Sequence, residues 1–417
     1  MVIKIGSHSI NYRCLIINFL AIARINYRAL IVSTLIEGLF NAVSIGSVLL
    51  LAALGLAIVF GLMGVINLAH GELIMLGAYS TFVVQNIFKS FGEPWFGFYI
   101  IVAIPIAFIV SALVGLIIER GAIRFLYGRP LETLLATWGV SLILRQLVRS
   151  INWSLFISIA IFSLLFFGGM ALLKRRVEWS RVGNKVLVVL LPLAAGVAIA
   201  FNLLFSDNSA LAKPWFSARN VDVTAPGWLR GGTTALGFQT PYVRLFIIAL
   251  TILCLAGVYW FLQRSTWGLK IRSVTQNRTM SSCLGIPTAK VDALTFALGS
   301  GLAGIAGCAV SFLGSVGPNT GQNYIIDTFM VVVVGGVGNL FGTVVAALGI
   351  GILNYFIGSG TIALFLTSLD APQSLVDLLL FFATTSMAKV VVFALIIIFL
   401  QIKPAGLFPQ KGRTAEL

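Results

Sequence analysis

The sequence predicts an all-α, polytopic integral membrane protein of about ten transmembrane helices, some of them broken or re-entrant. Three observations carry this prediction. Hydrophobic residues make up 59% of the 417 positions and charged residues only 10%, with a mean hydropathy of +1.02, a balance found in chains whose main solvent is lipid. The basic residues behind the net charge of +15 fall mostly in short loops between apolar runs. Glycine-rich interruptions sit inside two of those runs, where a membrane helix would otherwise continue.

Taking roughly 20 apolar residues per crossing, the runs near 39–61, 73–88, 98–118, 131–148, 155–173, 186–205, 243–262, 291–313, 326–357 and 387–402 read as spans. Gly335, Gly336, Gly338 and Gly342 interrupt the run 326–357, so two shorter pieces are expected there. A further apolar run, 373–383, is too short to cross. Residues 1–38 form a basic extension, with Lys4, Arg13, Arg24 and Arg28 around the apolar run 14–23. No small-residue cleavage pattern follows that run, which favours an interfacial helix over a processed signal. The membrane domain then covers 39–413.

Orientation follows from the loop 264–290, which carries Arg264, Lys270, Arg272, Arg278 and Lys290 and no acid. Short loops of that kind lie on the cytoplasmic side. Counting backwards puts 119–130 and 174–185 inside as well, and both are basic. The polar stretch 206–242, with Asp207, Asp222, Pro214, Pro226 and Pro241, falls outside as an ordered loop. Arg145 and Arg149 resist this scheme, because they sit near an outer helix end.

Composition excludes several functions. A charge of +15 would suggest nucleic acid in a soluble chain, but no basic patch is interleaved with exposed aromatics for base stacking. His8 and His70 are the only histidines, and the acids are scattered. No metal cluster, Ser-His-Asp set or phosphate loop can be assembled from them. Cys14, Cys254, Cys283 and Cys308 show no C-x-x-C spacing and lie in or beside apolar runs, so neither zinc nor a disulfide frame is indicated. The run 335–342 lacks the G-K-[ST] ending and reads as close packing of helices through small residues.

The segment G-L-M-G-V-I-N-L-A-H-G-E, 61–72, joins two apolar runs with almost no polar spacer. It reads as a helix break near membrane depth, which is tolerated only where backbone is buried in protein or lines a watery cavity. Asn67, His70 and Glu72 are therefore candidates for lining a translocation path. They are also candidates for capping helix ends.

The block 46–58 and G-V-I-N-L-A-H-G-E-L-I-M-L-G-A-Y, 64–79, resemble permeases of branched-chain amino acid and amide ABC importers. More narrowly, R-P-L-E-T-L-L-A-T-W-G-V-S-L-I-L from Arg129, A-R-N-V-D-V-T-A-P-G-W-L from Ala218 and V-T-Q-N-R-T-M from Val274 resemble the urea ABC transporter permease subunit. The stretch Y-I-I-D-T-F-M-V-V-V-V-G-G-V-G-N-L-F-G-T from Tyr324 and the closing P-A-G-L-F-P-Q-K-G-R extend the resemblance over most of 38–150 and 216–413.

The resemblance implies a non-enzymatic transport subunit in a bacterial plasma membrane that binds no cofactor itself. It implies a second permease subunit, cytoplasmic ABC ATPases that use ATP, and an extracytoplasmic substrate-binding protein. It also gives the loop 264–290 a role in ATPase coupling, with Gly268, Arg272, Gln276, Asn277, Arg278 and Gly285 as its site residues. A short helix over 274–283 is expected there, closed by G-I-P, 285–287. Urea is the first expectation for the solute and a branched-chain amino acid or short amide the alternative; the scarcity of ionisable residues within the spans suits an uncharged solute. The chain departs from the family pattern at 152–215, which reads as an inserted two-helix hairpin, 155–173 and 186–205, around a basic turn.

Overall fold

A computed structural model describes residues 12–170, 220–235, 238–367 and 372–408, and between 171 and 219 only residues 190, 192–200, 203–204 and 215. Most of the inserted hairpin, including its basic turn, lies outside the described residues.

The first helix, α1, runs from Tyr12 to Met63 and passes position 38 without a break. It is followed by α2 (His70–Ser90), α3 (Tyr99–Gly121), α4 (Pro130–Ser150) and α5 (Trp153–Ser163), the start of the insertion. After the outer loop come α6 (Tyr242–Arg264), the loop helices α7 (Thr266–Gln276) and α8 (Arg278–Cys283), and α9 (Thr288–Ser311). The chain continues with α10 (Thr320–Gly335), α11 (Leu340–Gly358), α12 (Thr361–Thr367), α13 (Gln373–Phe382) and α14 (Thr385–Ile402).

The expected count of about ten spans is met in part. Among the described residues six helical segments are long and apolar enough to cross a bilayer: Leu35–Met63, Tyr99–Phe125, Pro130–Ser150, Tyr242–Arg264, Thr288–Ser311 and Leu340–Gly358. A seventh is reached if Val376–Phe382 and Ser386–Ile402, bent by 99° at their junction, form one broken span. Two of the expected spans, 155–173 and 186–205, lie largely outside the described residues. The expected span 73–88 is a helix, but its first turns carry His70 and Glu72 and its end carries Lys89. The run 326–357 divides at the expected glycines into α10, 16 residues long, and α11.

Helix α9 is the axis of the fold. Its second half carries Gly299, Gly301, Gly304 and Gly307, and every residue from Gly299 to Ser311 is buried, with α1, α2 and α3 packed around the helix. Small residues make this possible. A Cβ on Gly77 of α2 would run into the Gly304 carbonyl oxygen, and one on Gly55 of α1 would run into that of Gly299. Lipid tails compete equally well for apolar surface, so such close backbone approach is what holds membrane helices together.

The described part of the loop 206–242 is ordered from 220 onward. Val221 pairs with Val316 through two backbone hydrogen bonds of 2.8 Å. Tyr99 donates its hydroxyl to the Thr224 carbonyl at 2.7 Å, and a two-stranded hairpin, β1 (Gly232–Ala235) and β2 (Phe238–Pro241), leads into α6.

Candidate translocation and coupling sites

Helix α1 ends beside the loop 264–290, where the Thr275 hydroxyl donates to the Leu62 carbonyl at 3.1 Å. Gly64, at φ 70°, turns the chain out of the helix, and Val65, Ile66 and Asn67 follow as non-helical backbone. The chain has by then moved back into the protein. His70 Nε2 lies 3.1 Å from the Ala52 carbonyl, about three turns, or roughly 16 Å, back along α1. The break thus lies within the depth of the bundle, as its sequence predicts, and α2 starts there rather than at a surface.

Each of the three path candidates is almost fully buried: Asn67 and Glu72 are 1% exposed and His70 is 0%. The Asn67 carbonyl Oδ1 accepts from the Ala69 amide at 3.0 Å, an Asx turn that organises the helix start. Since a carbonyl only accepts, His70 Nε2 carries the ring proton and Nδ1 is left as an acceptor. Glu72 Oε1 accepts from the Ser141 hydroxyl at 3.0 Å and from Arg145 Nη2 at 2.6 Å. Arg145 Nη1 continues to Gln322 Oε1 at 2.9 Å, while Arg149 Nη2 donates to Asn319 Oδ1 at 2.8 Å. The two arginines that resisted the topological scheme are therefore held by partners on α2 and at the start of α10. Among the described residues Asn67 Nδ2, His70 Nδ1 and Glu72 Oε2 have no hydrogen-bond partner.

The loop 264–290 differs from expectation in one respect. The single helix over 274–283 is replaced by two, α7 and α8, with a corner at Asn277. The cause is local: Asn277 is extended, and its Oδ1 accepts from the Met280 amide at 2.9 Å, starting a new helix. Ser265 caps α7 in the same way through the Gly268 amide at 2.9 Å. Gly285 ends α8 at φ 77°, and the Ile286 amide donates back to the Ser281 carbonyl at 3.1 Å, the C-terminal closure that G-I-P predicts.

The six candidate coupling residues separate into distinct settings. Gly268 packs where a Cβ would run into the Phe261 and Leu262 carbonyl oxygens, so it holds α7 against α6. Arg272 Nη1 donates to Gln263 Oε1 at 3.0 Å, and both residues line a mostly apolar cavity of about 650 Å³ between α1, α6 and α11. Arg278 pairs with Asp292 of α9 at 2.6 Å and lies 4.8 Å from the Tyr127 ring. Tyr127 in turn donates to Glu119 Oε1 at 3.1 Å; burial, with that carboxylate beside it, pushes its phenol well above the usual range and keeps the donor proton in place. Gln276, Asn277 and Gly285 are exposed. Sequence reasoning missed their exposed apolar neighbours Met280 and Leu284, at 61% and 77%. Apolar side chains in a loop between basic residues were the available signal.

The second glycine break contrasts with the first. Helix α10 stops at Gly335, Gly336 and Gly338 take positive φ, and the Asn339 side chain caps α11 by accepting from the Phe341 and Gly342 amides. The closing segment docks here, with the Leu407 amide donating to the Val334 carbonyl at 2.8 Å and the Phe408 amide to that of Gly335 at 3.3 Å. Expected close packing is present too, since a Cβ on Gly61 would stand 2.6 Å from Gly338 Cα. Ionisable residues within the helices are also less scarce than expected: Asp327 of α10 is 3.0 Å from Lys389 of α14.

The family model described as branched-chain amino acid transport system / permease component matches residues 38–400. The chain is 27% identical to the high-affinity branched-chain amino acid transport system permease protein LivH of Escherichia coli, over 89% of this chain and 94% of that protein. It is 24% identical to the corresponding permease protein BraD of Pseudomonas aeruginosa, over 77% of this chain and 85% of that one. The probable permease LivH of Methanocaldococcus jannaschii is 24% identical over 76% and 81%. No solved structure matches the chain. A match that runs from the middle of α1 almost to the end of α14 takes in both glycine breaks and the loop helices between them, and it shows that the chain belongs to the permease-component family of branched-chain amino acid transport systems and is a transport subunit, not an enzyme.

Proposed function

We propose that this chain is the membrane-spanning permease subunit of an ATP-driven importer that carries a branched-chain amino acid across a bacterial plasma membrane by alternating access. The observation that carries the reading is the family match over 38–400, joined to relatives whose names specify that transport. Cytoplasmic ATPases dock on α7 and α8 through exposed Gln276, Met280 and Leu284, while Arg278 and Asp292 tie that platform to the central helix α9. A second permease subunit completes the path, and an extracytoplasmic binding protein delivers the solute to the loop 206–242, where Asp222 and Trp228 are exposed. Asn67, His70 and Glu72 support the wall of the path, given their burial and the hydrogen bonds of His70 to α1 and of Glu72 to α4.

A second reading, urea, rests on the blocks 129–144, 218–229 and 274–280. The relatives favour the amino acid. Uptake of micromolar labelled leucine and labelled urea, in cells expressing the chain with its partner subunits, separates the two. ATP-dependent leucine uptake is the expected result; ATP-dependent urea uptake that resists unlabelled leucine would move the assignment to urea, and ATP-independent uptake of either would overturn the importer reading.

A further inference from the structure

A cavity of about 370 Å³ opens between α1, α10, α11 and α14, with the Asp327–Lys389 pair in its wall. Its position in the membrane follows from the orientation of the loop 264–290. Helix α9 leaves that loop and ends outside, so α10 runs inward from Thr320, and Asp327 lies about 10 Å along it. Asn354 approaches the outer end of α11, and Lys389 follows the start of α14. The cavity therefore belongs to the outer half of the bundle, on the side from which an importer receives its solute.

Its chemistry is mixed in a specific way. Asp327 is 5% exposed, whereas the Lys389 side chain is 43% exposed and spends one of its three donors on Asp327 Oδ2. Asn323 and Asn354 add amide groups, and the buried Oδ1 of Asn354 has no hydrogen-bond partner among the described residues. Val48, Leu49 and Leu313 form an apolar wall. Ionisable side chains inside a membrane bundle are costly and mark ion or solute paths. This pair faces a space of the size that small solutes occupy.

We infer that this cavity is a solute-binding station on the import path, taking a small, net-neutral solute with N–H donors at one end and a carbonyl or carboxylate oxygen at the other. Lys389 binds the oxygen end, Asp327 and Asn354 Oδ1 accept from the nitrogen end, and the Val48, Leu49 and Leu313 wall accepts an aliphatic side chain. A branched-chain amino acid uses all three contacts; urea uses the first two. The inference rests on the importer reading.

Asn354→Leu is the sharpest test, because it removes an oxygen without a partner among the described residues and leaves the ion pair intact. The full importer, with its ATPase and binding-protein partners, is assayed for leucine and urea uptake. The expected result is a rise in KM of about tenfold, the scale of one lost hydrogen bond to a charged group, at unchanged membrane level. Lys389→Gln is expected to raise KM at least as much, and the exchanged pair Asp327→Lys with Lys389→Asp to leave it raised. Normal KM in Asn354→Leu, or full recovery in the exchanged pair, would overturn the cavity inference while leaving the importer intact. A wild type that carries neither solute would instead overturn the importer reading, and the station with it.

Discussion

The two glycine-rich breaks, 64–69 and 336–339, meet where Gly61 packs on Gly338, yet they are completed in different ways. At the second, Asn339 caps the next helix, and the backbone of the distant C-terminal tail donates to the carbonyls of Val334 and Gly335. At the first, the local Asx turn of Asn67 is joined by side-chain contacts to other helices, with Glu72 reaching Ser141 and Arg145 and His70 reaching Ala52. Three polar side-chain atoms there remain unpaired among the described residues. The same helix-breaking signal thus serves two ends. The second break rests on a helix cap and backbone hydrogen bonds, whereas the first adds an ion pair to another helix.

The contrast is broken most severely at the first joint. Arg145→Leu strands Glu72, whose side chain is 2% exposed, and should destabilise the purified protein by about 3–5 kcal/mol. Thermal unfolding in detergent would register this, and combining it with Glu72→Leu should recover most of the loss. An unchanged midpoint in the single variant would mean that the first joint does not depend on the pair. At the second joint, Gly338→Ala forces a side chain onto a backbone at φ 88° and should cost about 1–3 kcal/mol in the same unfolding measurement. The smallest effect belongs to Asn339→Ala, about 1 kcal/mol for a lost cap, with uptake retained. Strongly reduced uptake in that variant would show that the second joint is no mere joint.

Much of this was legible in the sequence because membrane constraints are severe. Apolar length and the glycines from Gly335 to Gly342 foretold the six long helices and the divided run 326–357. The motif 61–72 announced a break at depth and its buried polar residues. Pairings across the bundle were not legible: nothing local to Arg145 points to Glu72, 73 positions away, and nothing near Asp327 points to Lys389. The corner at Asn277 was readable in principle, since Asn is a strong N-cap, but helix propensity on both sides conceals it. The expected span 73–88 departs from a plain apolar crossing because α2, 21 residues long, carries buried polar residues that serve the interior.

The most direct test of ATP coupling targets the platform's exposed apolar pair, which contributes little to the fold. In the complete importer, Met280→Asp with Leu284→Asp should abolish ATP-dependent uptake at a normal membrane level, because two buried carboxylates would oppose the ATPase contact. Undiminished uptake in that double variant would contradict the assignment of α7 and α8 as the coupling element.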